Sequence, residues 1–455
     1  MGRARFGAAH IMDWIVAFLI VVPAFVLYLK HSTWIIDYVV WVTVFNRGIR
    51  RYVDWLQGAF NPFSPISLTP LVVSGLVFLM VVQNYRKFPP SFQKIMRLFA
   101  WALAIAFGVG LVRNQLAAVY ALAEYVAPIS IMCMAALAGG NEKILDRWVK
   151  SIGWAAVFAS IYGWYQYYTI PPWDAFWVRA VGFEGYLGKL KPTEMVVFST
   201  MAERGPFAGF LSFAVIPMLI SARWRNVTGW GSVALILATI LLTFVRTSLI
   251  TIILACVLYP LLNRGKNTLR MVVLICVGAV GANYFLGKLS SERVNKRLRT
   301  LSNISEDGSY KGRIIIAQRG LAATLKNPIG TGLGSSGLGG RVNTGTMDSA
   351  AEIGDNGYLS IIFSFGWVGS FCFFYAFYLV WARVRAMERA GLRNESLMMF
   401  KALFITGAVV LMAGDWLAGP SSAVFFIFTG FAANPKIAIE RMKQAAALRA
   451  RPALA

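Results

Sequence analysis

Residues 231–262, GSVALILATILLTFVRTSLITIILACVLYPLL, decide the fold. A helix crosses the roughly 30 Å of bilayer hydrocarbon in about 20 residues. This run is too long for one crossing and too apolar for a soluble surface, so it reads as two spans placed back to back. Their junction falls at Val245-Arg246-Thr247, where the single charge of the run stands. An arginine near a helix centre costs about 2.5–3.5 kcal/mol on insertion scales, so Arg246 belongs at a membrane surface and calls for a partner there.

The rest of the chain repeats the pattern. Of 455 residues 58% are hydrophobic and 14% charged, with a mean hydropathy of +0.61, against about 25% charged in soluble domains. Apolar runs place spans near 11–30, 67–84, 98–112, 116–138, 151–169, 205–221, 229–245, 247–262, 270–287, 356–381, 400–418 and 420–434. No ten-residue segments alternate apolar-out and polar-in, which excludes a porin-like barrel. The expected fold is an all-α polytopic membrane protein of about 12 transmembrane helices, with a large periplasmic loop containing short helices. The net charge of +24 comes from basic residues at the ends of apolar runs. That distribution excludes a nucleic-acid partner and fits anionic membrane lipid. Cys133, Cys256, Cys276 and Cys372 all lie inside apolar segments and read as small buried residues with no disulfide or metal role. The N-terminal MGRARFGAAH leads into an apolar run and reads as a signal-anchor first helix.

Charge sets the orientation. With a cytoplasmic N-terminus, alternate connections hold Arg86, Lys87, Lys94 and Arg97, then Lys143, Arg147 and Lys150, then Arg223 and Arg225, then Arg264, Lys266 and Arg270. The run Arg383 to Lys401 and the tail follow, all on the side that lysine and arginine favour. Residues 33–46, TWIIDYVVWVTVFN with Asp37 inside and Arg47, Arg50 and Arg51 after it, read as an interfacial or re-entrant element, because another span would invert the pattern unless the N-terminus is outside. The organisation is thus one transmembrane domain over 1–455, an outer (periplasmic) loop at 170–204, a large outer (periplasmic) loop at 288–355 and a basic cytoplasmic tail at 435–455. Loops this long between packed elements are usually functional. The second is expected to hold one amphipathic helix from Ser291, with Val294, Leu298 and Leu301 on one face. Another runs from Gly312 to about Leu325, ended by Asn327-Pro328.

Few residues in these loops suit chemistry. Arg246 either snorkels to lipid phosphates or binds an anionic substrate. Arg204 stands before Gly205-Pro206, a pair that starts a helix and exposes backbone N–H groups; beside such a terminus an arginine suits a diphosphate, or it merely pairs with Glu203. Arg313 and Arg319 lie on the loop helix. Arg313 shares a face with Ala317 and Gly320 by spacing, Arg319 points elsewhere, and for both a solvated face is the alternative. Gly330, Gly332, Gly334, Gly337, Gly339 and Gly340 form either a backbone nest for phosphate or, more simply, a flexible loop, since no strand and no Gly-Lys-Ser/Thr ending accompany them. Asp355 opens a span; its carboxylate can accept a sugar hydroxyl proton as a general base or serve as the helix N-cap. Glu203 is the reserve base, while Glu124 and Asp415 inside spans are either inter-helix hydrogen-bond partners or functional groups. His10 and His31 are the sole histidines, and the outer loops contain no Asp-Asp or Asp-x-Asp pair, so neither a metal nor a cofactor is expected. Stabilising a leaving diphosphate then falls to arginine forks.

In order and spacing, several of these segments resemble the O-antigen ligase and polysaccharide polymerase superfamily. They are Arg204-Gly205-Pro206-Phe207-Ala208, Thr243-Phe244-Val245-Arg246-Thr247-Ser248, and a long loop carrying Gly312-Arg313 and Lys326-Asn327-Pro328-Ile329-Gly330-Thr331-Gly332-Leu333-Gly334. That loop ends in Asp355-Asn356-Gly357-Tyr358-Leu359, and Phe365-Gly366-Trp367-Val368-Gly369 follows. The resemblance implies a metal-independent glycosyltransferase that moves a growing glycan from undecaprenyl diphosphate to an incoming lipid-linked repeat unit. It implies Arg204, Arg246 and Arg313 at the diphosphate, with Arg319 as a further candidate, and Asp355 with Arg246 and Arg313 as the catalytic group. Ligases of the family carry His before the Asn, where this chain has Asp355, so the resemblance is closer to exopolysaccharide polymerases. Partners implied are the undecaprenyl-diphosphate-linked oligosaccharide and the flippase and chain-length or export proteins of such a pathway. Two rivals stay open: an O-antigen ligase using the same donor, and a transporter or flippase that makes no bond, against which the lack of an internal repeat counts.

Overall fold

The computed structural model describes residues 2–62, 64–263, 308–335 and 356–433, and among them the chain is helical, with one isolated β-bridge, Gly188 to Met195. The helices in chain order are α1 (Gly2–Leu29), α2 (Trp34–Gln57), α3 (Thr69–Gln83), α4 (Pro90–Asn114), α5 (Leu116–Leu137), α6 (Glu142–Thr169), α7 (Pro172–Ala180), α8 (Glu184–Leu187), α9 (Arg204–Ile220), α10 (Trp230–Thr243), α11 (Arg246–Asn263), α12 (Gly308–Lys326), α13 (Gly357–Arg389), α14 (Glu395–Val410) and α15 (Ala423–Ala433). Among the described residues seven helical segments are long and apolar enough to cross a membrane: Ile11–Leu29, Pro65–Gln83, Pro90–Asn114, Leu116–Leu137, Arg246–Asn263, Gly357–Arg389 and Glu395–Ala413. Arg204–Ile220, Trp230–Thr243 and Pro420–Ala433 are apolar but shorter. The chain is therefore an all-α, multi-pass membrane protein; the span expected near 270–287, the helix from Ser291 and the tail lie outside the described residues. The span expected over 400–418 stops at Ala413, because Gly414 (φ +157) and the stretch to Gly419 leave the helical region.

Two compact units divide the described residues. The first takes in 2–77, 146–263, 308–311 and 416–424, and the second 78–145, 312–335, 356–415 and 425–433.

In the first unit the stretch 33–46, expected to be interfacial or re-entrant, lies from Trp34 on in a longer helix, α2, and does not turn back on itself. α2 is one continuous helix of 24 residues, about 36 Å at 1.5 Å per residue. Apolar side chains recur at helical spacing (Ile36, Val40, Val44 on one face) and are buried. Gly58 at φ +66 ends it, donating back to the Asp54 and Trp55 carbonyls, a left-handed cap suited to glycine. The helix returns beside α1 in the opposite direction: Tyr38 Oη donates to the Ile20 carbonyl (2.7 Å), and at the far end Gln57 Nε2 and Asn61 Nδ2 donate to the Asp13 carboxylate (3.1 and 2.7 Å). Its hydropathy is lowered by charges, two of which pair with residues of later helices. Arg147 Nε meets Asp37 Oδ2 at 3.1 Å. Arg51 meets Asp174 at 3.0 Å. The unit thus has two ends. Thr33, Asp37, Arg147 and the Arg223–Asp146 pair (2.6 Å) mark one; Asp13, Asn61, Arg51 and the segment entering α9 mark the other.

In the second unit α4 packs closely along α13, with Phe99 edge-on to Phe373 and Phe377 (5.3 and 5.1 Å between centroids). α13 is broken at Gly366, whose φ of +67 and ψ of 179 interrupt the helix. Asp415 accepts from Tyr125 Oη at 2.6 Å, but from the non-helical stretch after Ala413 and not from inside a span as expected.

Candidate active site

Arg204 and Arg246 begin two helices of the first unit that pack on one another. Glu203 is extended (φ −141, ψ 153) and its side chain makes no cap bond, so α9 opens at Arg204 with Pro206 in its first turn. At the other arginine α10 ends at Thr243, Phe244 turns through the left-handed region (φ +53), and Arg246 starts α11. Buried Thr243 braces this turn: its Oγ1 donates to the Ile240 carbonyl (2.7 Å) and receives the Val245 N–H (3.4 Å). Since α10 returns between them, α9 and α11 start at the same end of the unit. Val197 N donates to the Leu242 carbonyl (3.4 Å), which carries the chain past that end just before Arg204. Both arginines are half-buried and stand at helix N-termini, where backbone N–H groups and the helix dipole favour negative charge.

The approach to Arg204 is held by a buried network that sequence reasoning missed. Arg51, 1% exposed, donates from Nη1 to the Met201 carbonyl (2.8 Å) and from Nη2 to the Ser199 carbonyl, and pairs through Nε with Asp174 Oδ1 (3.0 Å). Its guanidinium lies over the Phe198 and Trp177 rings, at 4.8 and 5.6 Å from their centroids. Asp174 Oδ2 accepts from Tyr162 Oη (2.8 Å) and Gln166 Nε2 (2.6 Å). Gln166 Oε1 receives the N–H groups of Phe198 (3.0 Å) and Ser199 (2.8 Å). Burial pushes the Asp174 carboxyl up, while Arg51, Gln166 and Tyr162 oppose that shift. The one sequence signal was the arginine pair Arg50-Arg51 inside an apolar stretch, which needs carboxylates when buried.

Around this network the loop at 170–204 is a small folded body with Trp177, Val178, Leu187, Met195 and Phe198 as its core. α9 is also held from the distant segment 416–424: Ser421 Oγ donates to the Pro206 carbonyl (3.2 Å), and Trp416 stacks on Phe213 at 4.7 Å.

The second unit carries the other candidates. Arg319 is exposed on α12 and Gly320 is buried beneath the same helix. Arg313 lies on α12, but its side chain, like Asp355, Gly337, Gly339 and Gly340, is outside the described residues. Asn356 is the N-cap of α13, its Oδ1 accepting from Leu359 N at 3.2 Å. The cap offered to Asp355 is therefore taken by its neighbour. Gly357 sits where a Cβ would lie 2.9 Å from the Gly414 carbonyl oxygen and run into Leu411, and Tyr358 Oη donates to the Ala408 carbonyl (2.8 Å).

Of the glycines after α12, Gly330, Gly332 and Gly334 are described, and their segment is packed against α4 and α13 by backbone hydrogen bonds. Thr331, Gly332 and Leu333 donate their N–H groups to the carbonyls of Phe363 (2.8 Å), Ser364 (3.1 Å) and Ala106 (2.9 Å). Asn114 Nδ2 donates to the Thr331 and Leu333 carbonyls, and Arg113 Nη1 to that of Gly330 (3.1 Å). Gly330, Gly332 and Gly334 all have φ near +80 to +90, a region that L side chains disfavour. A Cβ on Gly334 would meet Ala117 backbone carbon at 2.5 Å, and one on Gly366 the Pro328 carbonyl at 2.8 Å. Among the described residues no three His, Cys, Asp or Glu side chains converge.

Compared with known proteins, residues 231–374 match the family model described as O-Antigen ligase. No curated protein and no solved structure matches. The matched span runs from α10 through the Arg246 turn and α12 to the middle of α13, about a third of the 455 residues. The motifs that carried the sequence resemblance from Thr243 to Gly369 fall inside it, whereas Arg204 and the Arg51 network lie before it. Over these residues the chain is similar to the O-antigen ligase family.

Proposed function

We propose that the protein is a polysaccharide polymerase. It transfers a growing glycan from undecaprenyl diphosphate to a hydroxyl of an incoming lipid-linked repeat unit at the periplasmic face of a bacterial inner membrane. The supporting observation is the Asn356 cap. In Asp355-Asn356-Gly357-Tyr358 the last three residues have structural work, as cap, close-packed glycine and Ala408 hydrogen-bond donor, and the role of general base is assigned to Asp355 on the family resemblance. In the reaction Asp355 takes the acceptor proton, the oxygen forms a bond to the anomeric carbon, and the sugar–diphosphate bond breaks. The diphosphate leaves with the electron pair, and Arg204, Arg246 and Arg313 hold it. Arg147, Lys150, Arg223 and Arg225, on the end of the first unit away from Arg204, supply the positive-inside charge that turns Arg204 outward.

The description of the matched family favours a second reading, ligation of the same donor to a different acceptor. Incubating purified protein with a lipid-linked repeat unit alone separates them. A ladder of longer lipid-linked glycans is expected, and Asp355→Asn should cut it by about 10²- to 10⁴-fold without loss of folded protein. No ladder from the parent, but transfer once a lipid A core acceptor is supplied, would establish the ligase. A normal ladder from Asp355→Asn would remove the base assignment and move it to Glu203.

A further inference from the structure

We propose that Arg51, Asp174 and Gln166 form a latch that aims Arg204 and the first turn of α9 at the leaving diphosphate; this rests on the polymerase reading given above. Residues 198–201 lead directly into that turn and have little backbone pairing of their own, apart from Met201 N to the Phe198 carbonyl (3.2 Å). Instead two of their N–H groups end on Gln166 Oε1 and two of their carbonyls on the Arg51 fork. Ser199 is held at φ +52, a conformation unfavourable for a non-glycine residue, and its Oγ donates to the Ala159 carbonyl (2.5 Å). Helices α2, α6 and α7 each contribute one member of the latch, so the direction of the strand is fixed from three sides.

Stability alone does not explain this construction. A buried ion pair is often replaceable by apolar residues of similar volume with no loss, whereas deleting one partner is costly. Such a pair is better suited to fixing one geometry. The geometry it fixes is that of Glu203 and Arg204, two and three residues beyond Met201. Arg51 touches no candidate reacting group, so it is a positioning residue and Arg204 is the ligand.

The test is a double-mutant cycle on chain growth by the full-length protein, with donor concentration varied. Gln166→Met removes the acceptor of two N–H groups and keeps the volume. Loss or misdirection of one charge-assisted hydrogen bond corresponds to about 10- to 100-fold. Gln166→Met should therefore raise the donor KM about tenfold with kcat within about threefold, and Arg204→Ala should raise it by as much or more. In the Arg204→Ala background Gln166→Met should add nothing, because the residue it aims is gone. Should Gln166→Met fail to accumulate, Tyr162→Phe, which removes one donor to Asp174, is read in the same cycle with a smaller KM change. Additive losses, or a loss confined to kcat, would overturn the latch while leaving the polymerase reading intact. Arg204→Ala with the parental donor KM would instead remove Arg204 from the diphosphate, and the latch's purpose with it.

Discussion

Gly332→Ala should damage the protein far more than the chemical size of a methyl group suggests. Gly332 has φ +86, and an added Cβ would overlap the backbone N and Cα of Gly110 and lie 2.7 Å from the backbone carbon of Val109. Holding an L residue in the left-handed region costs about 1–2 kcal/mol. Overpacking adds about 1–3 kcal/mol, at the upper end here because the obstacle is backbone and no rotamer can relieve it. Moving the strand away loosens the N–H bonds of Thr331, Gly332 and Leu333, each worth about 1 kcal/mol. Together these give about 3–7 kcal/mol, a large share of the 5–15 kcal/mol that holds a typical domain. Gly391→Ala is the matched control: it has φ +83 with nothing within 4 Å of a Cβ, so only the first cost of about 1–2 kcal/mol applies. Apparent Tm of purified protein in detergent, at one scan rate for both variants, should fall several times further for Gly332→Ala. Equal shifts, or parental Tm for Gly332→Ala, would refute the docking of residues 327–335 on α4 and show the glycines to be replaceable.

Three further outcomes are expected. Arg246→Lys should insert and fold but grow chains poorly, because an ammonium keeps the charge and loses the paired donors that grip a diphosphate; parental activity would return Arg246 to lipid snorkelling and make Arg313 the leading ligand. Reporter fusions at the N-terminus and near Gly185 should read periplasmic, and fusions after Arg225 and Arg393 cytoplasmic, since α2 brings the start of α1 to the Arg204 end; a cytoplasmic N-terminus alongside a periplasmic Gly185 would contradict the antiparallel pair. Chain growth should survive excess EDTA, and strict dependence on Mg²⁺ or Mn²⁺ would replace the account in which arginines alone hold the diphosphate.

Local signals were legible in the sequence and distant pairings were not. Gly205-Pro206 gave the start of α9, Arg246 the start of α11, and Asn327-Pro328 the end of α12, because each is decided by backbone chemistry within a turn. The same kind of signal failed for α2. Asp37, Arg50, Arg51 and Asp54 lower its hydropathy, and only the fold reveals that Arg147 and Asp174 neutralise charges more than a hundred positions upstream. The glycines after α12 misled for a related reason. Composition shows that a backbone can bend and approach closely, but not whether its N–H groups are open to a phosphate or already spent on Phe363, Ser364 and Ala106. Asp355 read equally well as cap and base until Asn356 was seen to hold the cap.

The charges of α2 also constrain how the protein is made. Arg50 and Asp54 pair within α2 itself at 3.4 Å, but Asp37 and Arg51 have their partners on later helices, and an unpaired charge costs up to about 2.5–3.5 kcal/mol in lipid. The partner of Asp37 is 110 residues downstream, and Asp174 is about as far beyond Arg51. At roughly 5–20 residues per second of synthesis, α2 leaves the ribosome on the order of 10 s before α6 and α7 exist to neutralise it. It therefore cannot settle as an independent span in the order in which it is made. It has to wait at the insertion machinery or at the interface until the Arg147 and Asp174 segments arrive, and this delay makes α1 to α7 one unit of biogenesis. A chain cut before Asp174 would leave a charged helix that membrane quality control can recognise as unassembled.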